Sequence, residues 1–142
     1  MLPRLLVLLC LSALAACGSS QPREEPSPAP RVFGQWELVE LNGQAMAFDD
    51  RAPSLALAPD GKVAGFAGIN RFTGQADSQD LREGRFAVGA LAMTKMAGSA
   101  ELMAFERRYL TALESAERIQ LRDGMLELWS ASACVARFAS SN

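Results

Sequence analysis

The sequence lacks histidine and has only three cysteines among its 142 residues. Without histidine, a histidine general base and the Cys/His ligand sets of structural zinc sites are both excluded. We expect Cys10 to be removed with a leader and Cys17 to carry lipid, which leaves Cys134 without an intramolecular disulfide partner. The sequence therefore predicts a domain held together without disulfides, metal ions or a cofactor.

Lysine is also scarce, since Lys62 and Lys95 are the only two. They are the candidates for a lysine-centred enzyme, but Lys62 lies beside a predicted hairpin turn, where it would stay solvated, and the acidic residues form no convincing pair for acid–base work. The formal net charge of −2 argues against nucleic acid as a partner, because nucleic-acid binding requires a basic surface. We therefore expect a protein that is not an enzyme and does not bind nucleic acid.

The amino terminus has the pattern of a secretory signal peptide: Arg4 precedes an apolar stretch from Leu5 to Ala13, and small residues follow. This stretch is too short to span a bilayer, which takes about 20 apolar residues. The segment Leu14-Ala15-Ala16-Cys17 looks like the lipobox of bacterial lipoproteins. Residues 1–16 are therefore predicted to be a lipoprotein signal peptide and Cys17 to be the site of lipidation by acyl chains such as palmitate. An ordinary signal peptide with a chance cysteine is the alternative.

Residues 17–30 are predicted to be a disordered tether, because residues 18–30 contain four prolines and almost nothing that a core could bury. In the polyproline form, at roughly 3.1 Å per residue, the tether would reach up to about 40 Å from the lipid. Gly18 follows the cysteine where aspartate marks inner-membrane retention in enterobacterial lipoproteins. This resemblance predicts an outer-membrane location in the cell envelope, facing the periplasm.

Turn signals divide residues 31–142, the predicted globular domain, into strands. Asn42-Gly43 ends a first strand from Phe33 to Leu41, in which Trp36 and Leu38 share a face. If Asp60-Gly61 is a two-residue turn, Leu57 lies opposite Ala64 and Leu55 opposite Phe66, all on one face. Residues 133–138 are predicted to form the last strand.

The register of the third hairpin is specified most strongly. A two-residue turn at Asp123-Gly124 pairs Leu121 with Leu126 and Ile119 with Leu128, which puts four apolar side chains on one face. On the other face, Gln120 opposes Glu127 and Arg118 lies over the indole of Trp129.

One helix is predicted from Glu101 to Ala116, with Gly98-Ser99 as its cap. Its apolar positions recur at steps of three and four: Leu102, Phe105, Tyr109, Leu113 and Ala116. Its solvent face carries Arg107, Arg108, Glu114 and Glu117. The order of many strands, one helix and then further strands indicates an α+β fold: a curved antiparallel sheet, or a partly open barrel, with one main α-helix packed on it.

The segment from Gly65 to Gly74 is unusual because three glycines punctuate aromatic and polar positions. Gly65 and Gly68 suggest a bulge or a close backbone approach. Asn70 is suited to bonding its own backbone in a turn or to a left-handed conformation. Residues 75–84 are then expected to form a loop.

The domain resembles the META domain, or HslJ-like, family. The resemblance rests on five segments in order: Gly34-Gln-Trp-Glu-Leu38, Gly65-Phe-Ala-Gly-Ile-Asn-Arg-Phe-Thr-Gly74, Leu91-Ala-Met-Thr-Lys-Met-Ala97, Glu101 with Phe105 and Leu113, and Leu126-Glu-Leu128. Relatives usually have cysteine where this chain has Ile69 and Gly98. Because both cysteines are missing together, the resemblance implies that the two positions are neighbours, that relatives can pair them, and that Ile69 fills the volume here.

The resemblance also implies a non-catalytic lipoprotein of the cell envelope that takes part in a stress response by binding or stabilising an envelope protein partner. The candidate binding surface consists of Asn70, Arg71, Thr73, Thr94, Lys95 and Glu101. The competing interpretation is that these side chains only fix loops and the start of the helix. A lipoprotein inhibitor or a secretion pilot with one tight protein partner is the functional alternative.

Two further groups of side chains have simpler explanations than a ligand site. Met93 and Met96 have a spacing that could hold copper(I), but core packing explains both more simply. The large aromatic residues are likewise expected in the core rather than around a ligand: Trp36, Phe66, Phe72, Phe105 and Trp129.

Overall fold

A computed structural model describes residues 32–141. The predicted signal peptide, Cys17 and the tether lie outside these residues. The strands are β1 (Gly34–Leu41), β2 (Gln44–Ala45), β3 (Ser54–Leu57), β4 (Lys62–Phe66), β5 (Arg71–Gln75), β6 (Ala92–Met93), β7 (Arg118–Arg122), β8 (Met125–Ser130) and β9 (Ala133–Ser140). The helices are α1 (Ser78–Arg82) and α2 (Ala100–Ser115). Within residues 32–141, neither helix is long and apolar enough to cross a membrane.

All strands belong to one antiparallel sheet in the order β6-β5-β4-β3-β1-β9-β8-β7, and β2 pairs with β1. The sheet is not closed into a barrel, but residues 84–89 lie between its two ends. The amide of Ile119 donates to the carbonyl of Gly84, and the amide of Gly89 donates to the carbonyl of Gln75. The prediction of an antiparallel sheet with one main helix is confirmed.

The core lies between the sheet and one face of α2. Phe105, Tyr109 and Leu113 of this helix are buried. The ring of Tyr109 lies 6.1 Å from that of Phe72 and 6.3 Å from that of Phe138, measured between centroids. Its hydroxyl donates to the carbonyl of Ser54 at 3.1 Å. Burial raises the pKa of Tyr109, so the hydroxyl stays protonated and joins α2 to β3.

The register predicted for the third hairpin is confirmed pair by pair, including Leu121 with Leu126 and Ile119 with Leu128. Asp123 and Gly124 both have positive φ, as the two-residue turn requires. The guanidinium of Arg118 lies 5.6 Å from the centre of the Trp129 ring. The first turn, at Asn42-Gly43, is confirmed in the same way.

The register predicted for the Asp60-Gly61 hairpin is wrong by one residue. Leu57 pairs with Val63 and Leu55 with Gly65, so Val63 enters the core and Phe66 lies on the other face. A two-residue turn would make Pro59 the last pairing residue, yet proline has no N–H to donate. The ladder instead closes one residue earlier, where the amide of Ala58 donates to the carbonyl of Lys62.

Residues 75–84 are not simply a loop, because α1 forms within them. The side chain of Asp77 caps this helix by accepting from the amides of Gln79 and Asp80, and Leu81 buries its apolar side. The cap of α2 is Ser99, as expected, with the amide of Leu102 donating to its hydroxyl. Leu102 itself was expected on the buried face but is 47% exposed.

Candidate functional site

Asn70 is the centre of a buried hydrogen-bond network in the turn between β4 and β5. Its side-chain oxygen accepts from the amide of Met96 at 2.7 Å and from the hydroxyl of Thr94 at 2.9 Å. Its side-chain nitrogen donates to the carbonyl of Met96 at 3.1 Å and to Glu106 at 2.9 Å. Asn70 is only 5% exposed and does not have positive φ. It therefore fixes loops, in agreement with the competing interpretation of its role.

Glu106 is the partner of Asn70 that the sequence did not single out. Both of its carboxylate oxygens accept from Asn70, one from the backbone amide at 2.7 Å and one from the side chain. None of the ion pairs formed within residues 32–141 includes Glu106. Its position gives the available signal: it lies four residues after Leu102 and three before Tyr109, on the apolar stripe of α2. A charged residue at such a position indicates a buried polar contact.

The other five residues of the predicted binding surface are exposed, but they form two groups. Arg71 and Thr94 are adjacent, since the amide of Arg71 donates to the Thr94 hydroxyl at 3.1 Å. Thr73 pairs with Ala92 on the same edge of the sheet, and Lys95 follows Thr94. Glu101 lies in the first turn of α2, at the groove described next. The structure thus brings Arg71, Thr73, Thr94 and Lys95 together and places Glu101 apart.

A groove of about 550 Å³, here called the Phe105 groove, lies beside the start of α2. Its walls are residues 46–53, the turn after β4 and the first two turns of α2. The rings of Phe48 and Phe105 meet edge to face at 5.8 Å. Gly68 has positive φ, and a Cβ there would come within 3.3 Å of the Phe105 ring. Glycine at this position therefore permits the turn and leaves room for the Phe105 ring beside it.

Three large apolar side chains are exposed within residues 96–103: Met96 is 63% exposed, Leu102 47% and Met103 38%. Leu102 also lines the groove. The expectation that core packing explains Met96 is wrong, whereas Met93 does pack against the core. Among the aromatic residues expected in the core, Trp36, Phe72 and Phe105 are buried, but Phe66 and Trp129 are only partly buried.

Ile69 and Gly98 are neighbours, as the loss of both family cysteines implied. A Cβ built at Gly98 would lie 3.0 Å from Cγ1 of Ile69 and would overlap its Cδ1. The isoleucine side chain therefore occupies the space beside Gly98 that a second side chain would need.

A second buried carboxylate lies on the face of the sheet opposite α2. Glu127 is 3% exposed, and it accepts from Gln120 at 2.7 Å, Trp129 at 3.0 Å and Arg137 at 3.1 Å. Arg137 also bonds Glu40 at 2.9 Å, so the cluster connects β7, β8, β9 and β1. Burial alone would raise the pKa of Glu127, but the three donors and the positive charge of Arg137 outweigh it and lower the pKa.

This lowered pKa sets the sign of a pH dependence. The stabilisation from Glu127 is fully present above its pKa in the unfolded chain and is lost as the pH falls through the lower pKa of the folded state. Arg137→Met leaves the carboxylate buried without its cation. We expect a loss of about 2 kcal/mol in the free energy of unfolding at about pH 7, and a smaller loss at about pH 4, where the carboxyl can be protonated.

Urea denaturation at the two pH values measures this difference, and Arg107→Met is the matched control because Arg107 is exposed on α2. A deficit for Arg137→Met that is equal at both pH values, or no larger than that of the control, would contradict the assigned role of the pair.

The lysines and the cysteine within residues 32–141 lie at the surface or on the last strand. Lys62 and Lys95 are both exposed. Cys134 is half-buried on β9, and burial raises the pKa of its thiol, which keeps the thiol protonated. Among residues 32–141, no group of three or more Cys, Asp or Glu side chains is placed to hold a metal ion.

The fold and the site define a small α+β domain whose most distinctive chemistry is buried polar networks and an exposed apolar surface. A family model described as the META domain matches residues 31–142. The chain therefore belongs to the META domain family.

Three solved structures with this fold have low sequence identity to this chain. An NMR structure of a protein from Burkholderia xenovorans is 23% identical, with a TM-score of 0.55, and the match covers 86% of this chain and 97% of that one. A second NMR structure is 21% identical, with a TM-score of 0.57, and covers 75% of this chain and 88% of that one. A crystal structure of a DUF4847 family protein from Bacteroides vulgatus is 17% identical, with a TM-score of 0.51, and covers 78% and 96%. These similarities support the fold. No curated protein matches the chain significantly.

Proposed function

We propose that this protein is a lipid-anchored, non-catalytic binding module of the cell envelope that holds a protein partner at the start of α2. The observation that carries the proposal is the exposure of Met96, Leu102 and Met103 within one short stretch of chain. Single exposed apolar side chains are common, but a group of them beside a groove is typical of an interaction site. Methionine side chains suit such a site because they adapt to the shape of a partner.

The hydrogen bonds that hold this surface in place favour a binding role over that of a passive loop. The segment that carries Met96 is held at its backbone amide and carbonyl by Asn70, which in turn bonds Glu106 of α2. The exposed side chains therefore project from backbone that the core fixes, and less conformational entropy is lost when a partner binds. Lys95, Arg71 and Thr94 supply a polar border, as at most protein interfaces.

The proposed anchor is Cys17, at the end of the predicted signal peptide. Two or three acyl chains would hold the protein stably, because each buried CH₂ contributes roughly 0.8 kcal/mol. The tether would give the domain a reach of about 40 Å into the periplasm from the outer membrane. We also propose that the protein takes part in the envelope stress response by stabilising this partner.

Site-specific photo-crosslinking in living cells tests both the surface and the anchor. We expect a photoreactive residue at Met103 or Lys95 to give one dominant adduct, since Met103 is one of the exposed apolar side chains and Lys95 is the exposed neighbour of Met96 in the chain. Gln79 on α1 is an exposed control position and should give none. Cys17→Ala should abolish fatty-acid labelling and reduce the adduct at least tenfold, because the two proteins are then no longer confined together.

If photo-crosslinking gives the same adducts at Met103, Lys95 and Gln79, the proposed surface is overturned. Fatty-acid labelling that persists in Cys17→Ala would overturn the anchor. Turnover of a hydrolase substrate that Lys95→Ala abolishes would overturn the non-catalytic role.

A further inference from the structure

We propose that the Phe105 groove receives a basic amphipathic segment of the protein partner. Apolar side chains of this segment would contact the phenylalanine rings, and its lysine or arginine side chains would face the acidic border. This inference rests on the proposed function, since it specifies the chemistry of the partner.

The floor of the groove is suited to apolar side chains. It presents the rings of Phe48, Phe66 and Phe105, and Leu102 extends the apolar surface out of the groove along α2. An amphipathic helix lying across such a groove is a common mode of peptide recognition.

The border of the groove carries more negative than positive charge. Three carboxylates line it, those of Asp49, Asp50 and Glu101, against the two guanidinium groups of Arg51 and Arg108. None of the three acids takes part in an ion pair within residues 32–141. They are therefore available to a cationic partner, and opposite charge across an interface speeds association and selects the partner.

Both arginines of the border already lie over aromatic rings. The guanidinium of Arg51 lies 4.5 Å from the centre of Phe66, and that of Arg108 lies 5.9 Å from the centre of Phe105. Neither arginine forms an ion pair with the three carboxylates within residues 32–141, and the contacts show that the ring faces accept cations.

The chain enters the domain away from this groove. Phe33 lies 5.3 Å from the guanidinium of Arg82, which bonds the carbonyl of Pro59 at the β3–β4 turn. The groove lies beyond the opposite ends of these strands, at Pro53 and Phe66. The groove therefore lies at the other end of these strands from Phe33.

Binding of designed peptides to the lipidated full chain, held in nanodiscs of zwitterionic lipid, tests the inference. Three fluorescent peptides of equal length are compared by anisotropy: one of leucine, lysine and alanine, one with glutamate in place of lysine, and one with serine in place of leucine. Empty nanodiscs give the blank. We expect the leucine–lysine peptide to bind at least tenfold more tightly than either of the others, with an affinity that falls as salt is added.

Variants locate the binding site. Asp49→Asn combined with Asp50→Asn should reduce the affinity for the leucine–lysine peptide about fivefold. Leu102→Gln should reduce it about tenfold. All three side chains are exposed, so the variants should fold. Glu114→Gln removes an exposed acid elsewhere on the same helix and should leave the affinity unchanged.

Three results would overturn the inference: equal or tighter binding of the glutamate peptide, no binding of the lysine peptide, or groove variants that bind as Glu114→Gln does. If the lysine peptide fails while Met103 still forms its adduct in cells, this inference fails and the proposed function stands. If the peptide binds as expected but no adduct forms, the proposed function fails.

Discussion

Replacing Asn70 with alanine is expected to destabilise the domain by about 4 kcal/mol. The substitution removes four side-chain hydrogen bonds, each worth about 1 kcal/mol, and takes one donor from a buried carboxylate. It also releases the backbone of Met96. Urea denaturation measures the total loss, and amide hydrogen exchange at Met96, whose amide donates to Asn70, should accelerate well beyond the change in the sheet.

Two comparisons identify the cause of this loss. Thr73→Ala, at an exposed position on the strand that follows Asn70, should cost less than about 0.5 kcal/mol. Glu106→Gln keeps the shape of the side chain but turns an amide NH₂ toward a donor of Asn70, and it should cost about 2 kcal/mol. If Asn70→Ala and Thr73→Ala have similar stabilities, the network is not what fixes this turn.

The second large effect is a gain in stability. The double variant Ile69→Cys with Gly98→Cys should form a disulfide, because the Cβ built at Gly98 lies 3.0 Å from Cγ1 of Ile69. Adding one carbon–carbon bond of about 1.5 Å puts the two Cβ atoms at most about 4.5 Å apart, within the range that disulfides need. The bond would close the loop between residues 69 and 98, and closing a loop of this length should stabilise the domain by about 3.5 kcal/mol relative to the reduced form.

The comparison is made in a chain with Cys10, Cys17 and Cys134 replaced by alanine, so that only the new pair can oxidise. Peptide mass spectrometry shows whether the bond forms, and urea denaturation with and without reductant gives its effect. Gly98→Cys alone should be destabilised by about 2 kcal/mol, because its side chain would overlap that of Ile69. A double variant that stays reduced in air, or that is no more stable when oxidised, would contradict the predicted geometry.

Sequence reasoning succeeded where local chemistry determines the structure. At Asp123-Gly124 the turn type and the alternation of apolar side chains specify the same register, and that register is the one observed. At Asp60-Gly61 the turn residues suggested a tight hairpin, but Pro59 cannot donate the hydrogen bond that this hairpin requires. The residue that decided the register, Pro59, lies just before the turn.

The site was less predictable because it depends on contacts between distant segments. Asn70 and Glu106 are 36 residues apart, and nothing local shows that they meet. Periodicity correctly placed Phe105 and Tyr109 in the core, but it also placed Leu102 there. Leu102 lies at the start of α2, where no strand covers the helix and the groove opens. The periodicity of apolar residues identifies one face of a helix, whereas the segments packed against the helix determine how much of that face is covered.

The segment from Gly84 to Gly89 has a consequence for how the protein tolerates crowding. Exposed strand edges invite pairing with other chains and hence aggregation. One end of the sheet, β7, is covered by hydrogen bonds from Ile119 to Gly84 and from Phe86 to Glu117, and the strand at the other end, β6, has only two residues. Copies of the domain packed side by side would thus find little free edge for strand exchange among residues 32–141, and their contacts would be left to side chains.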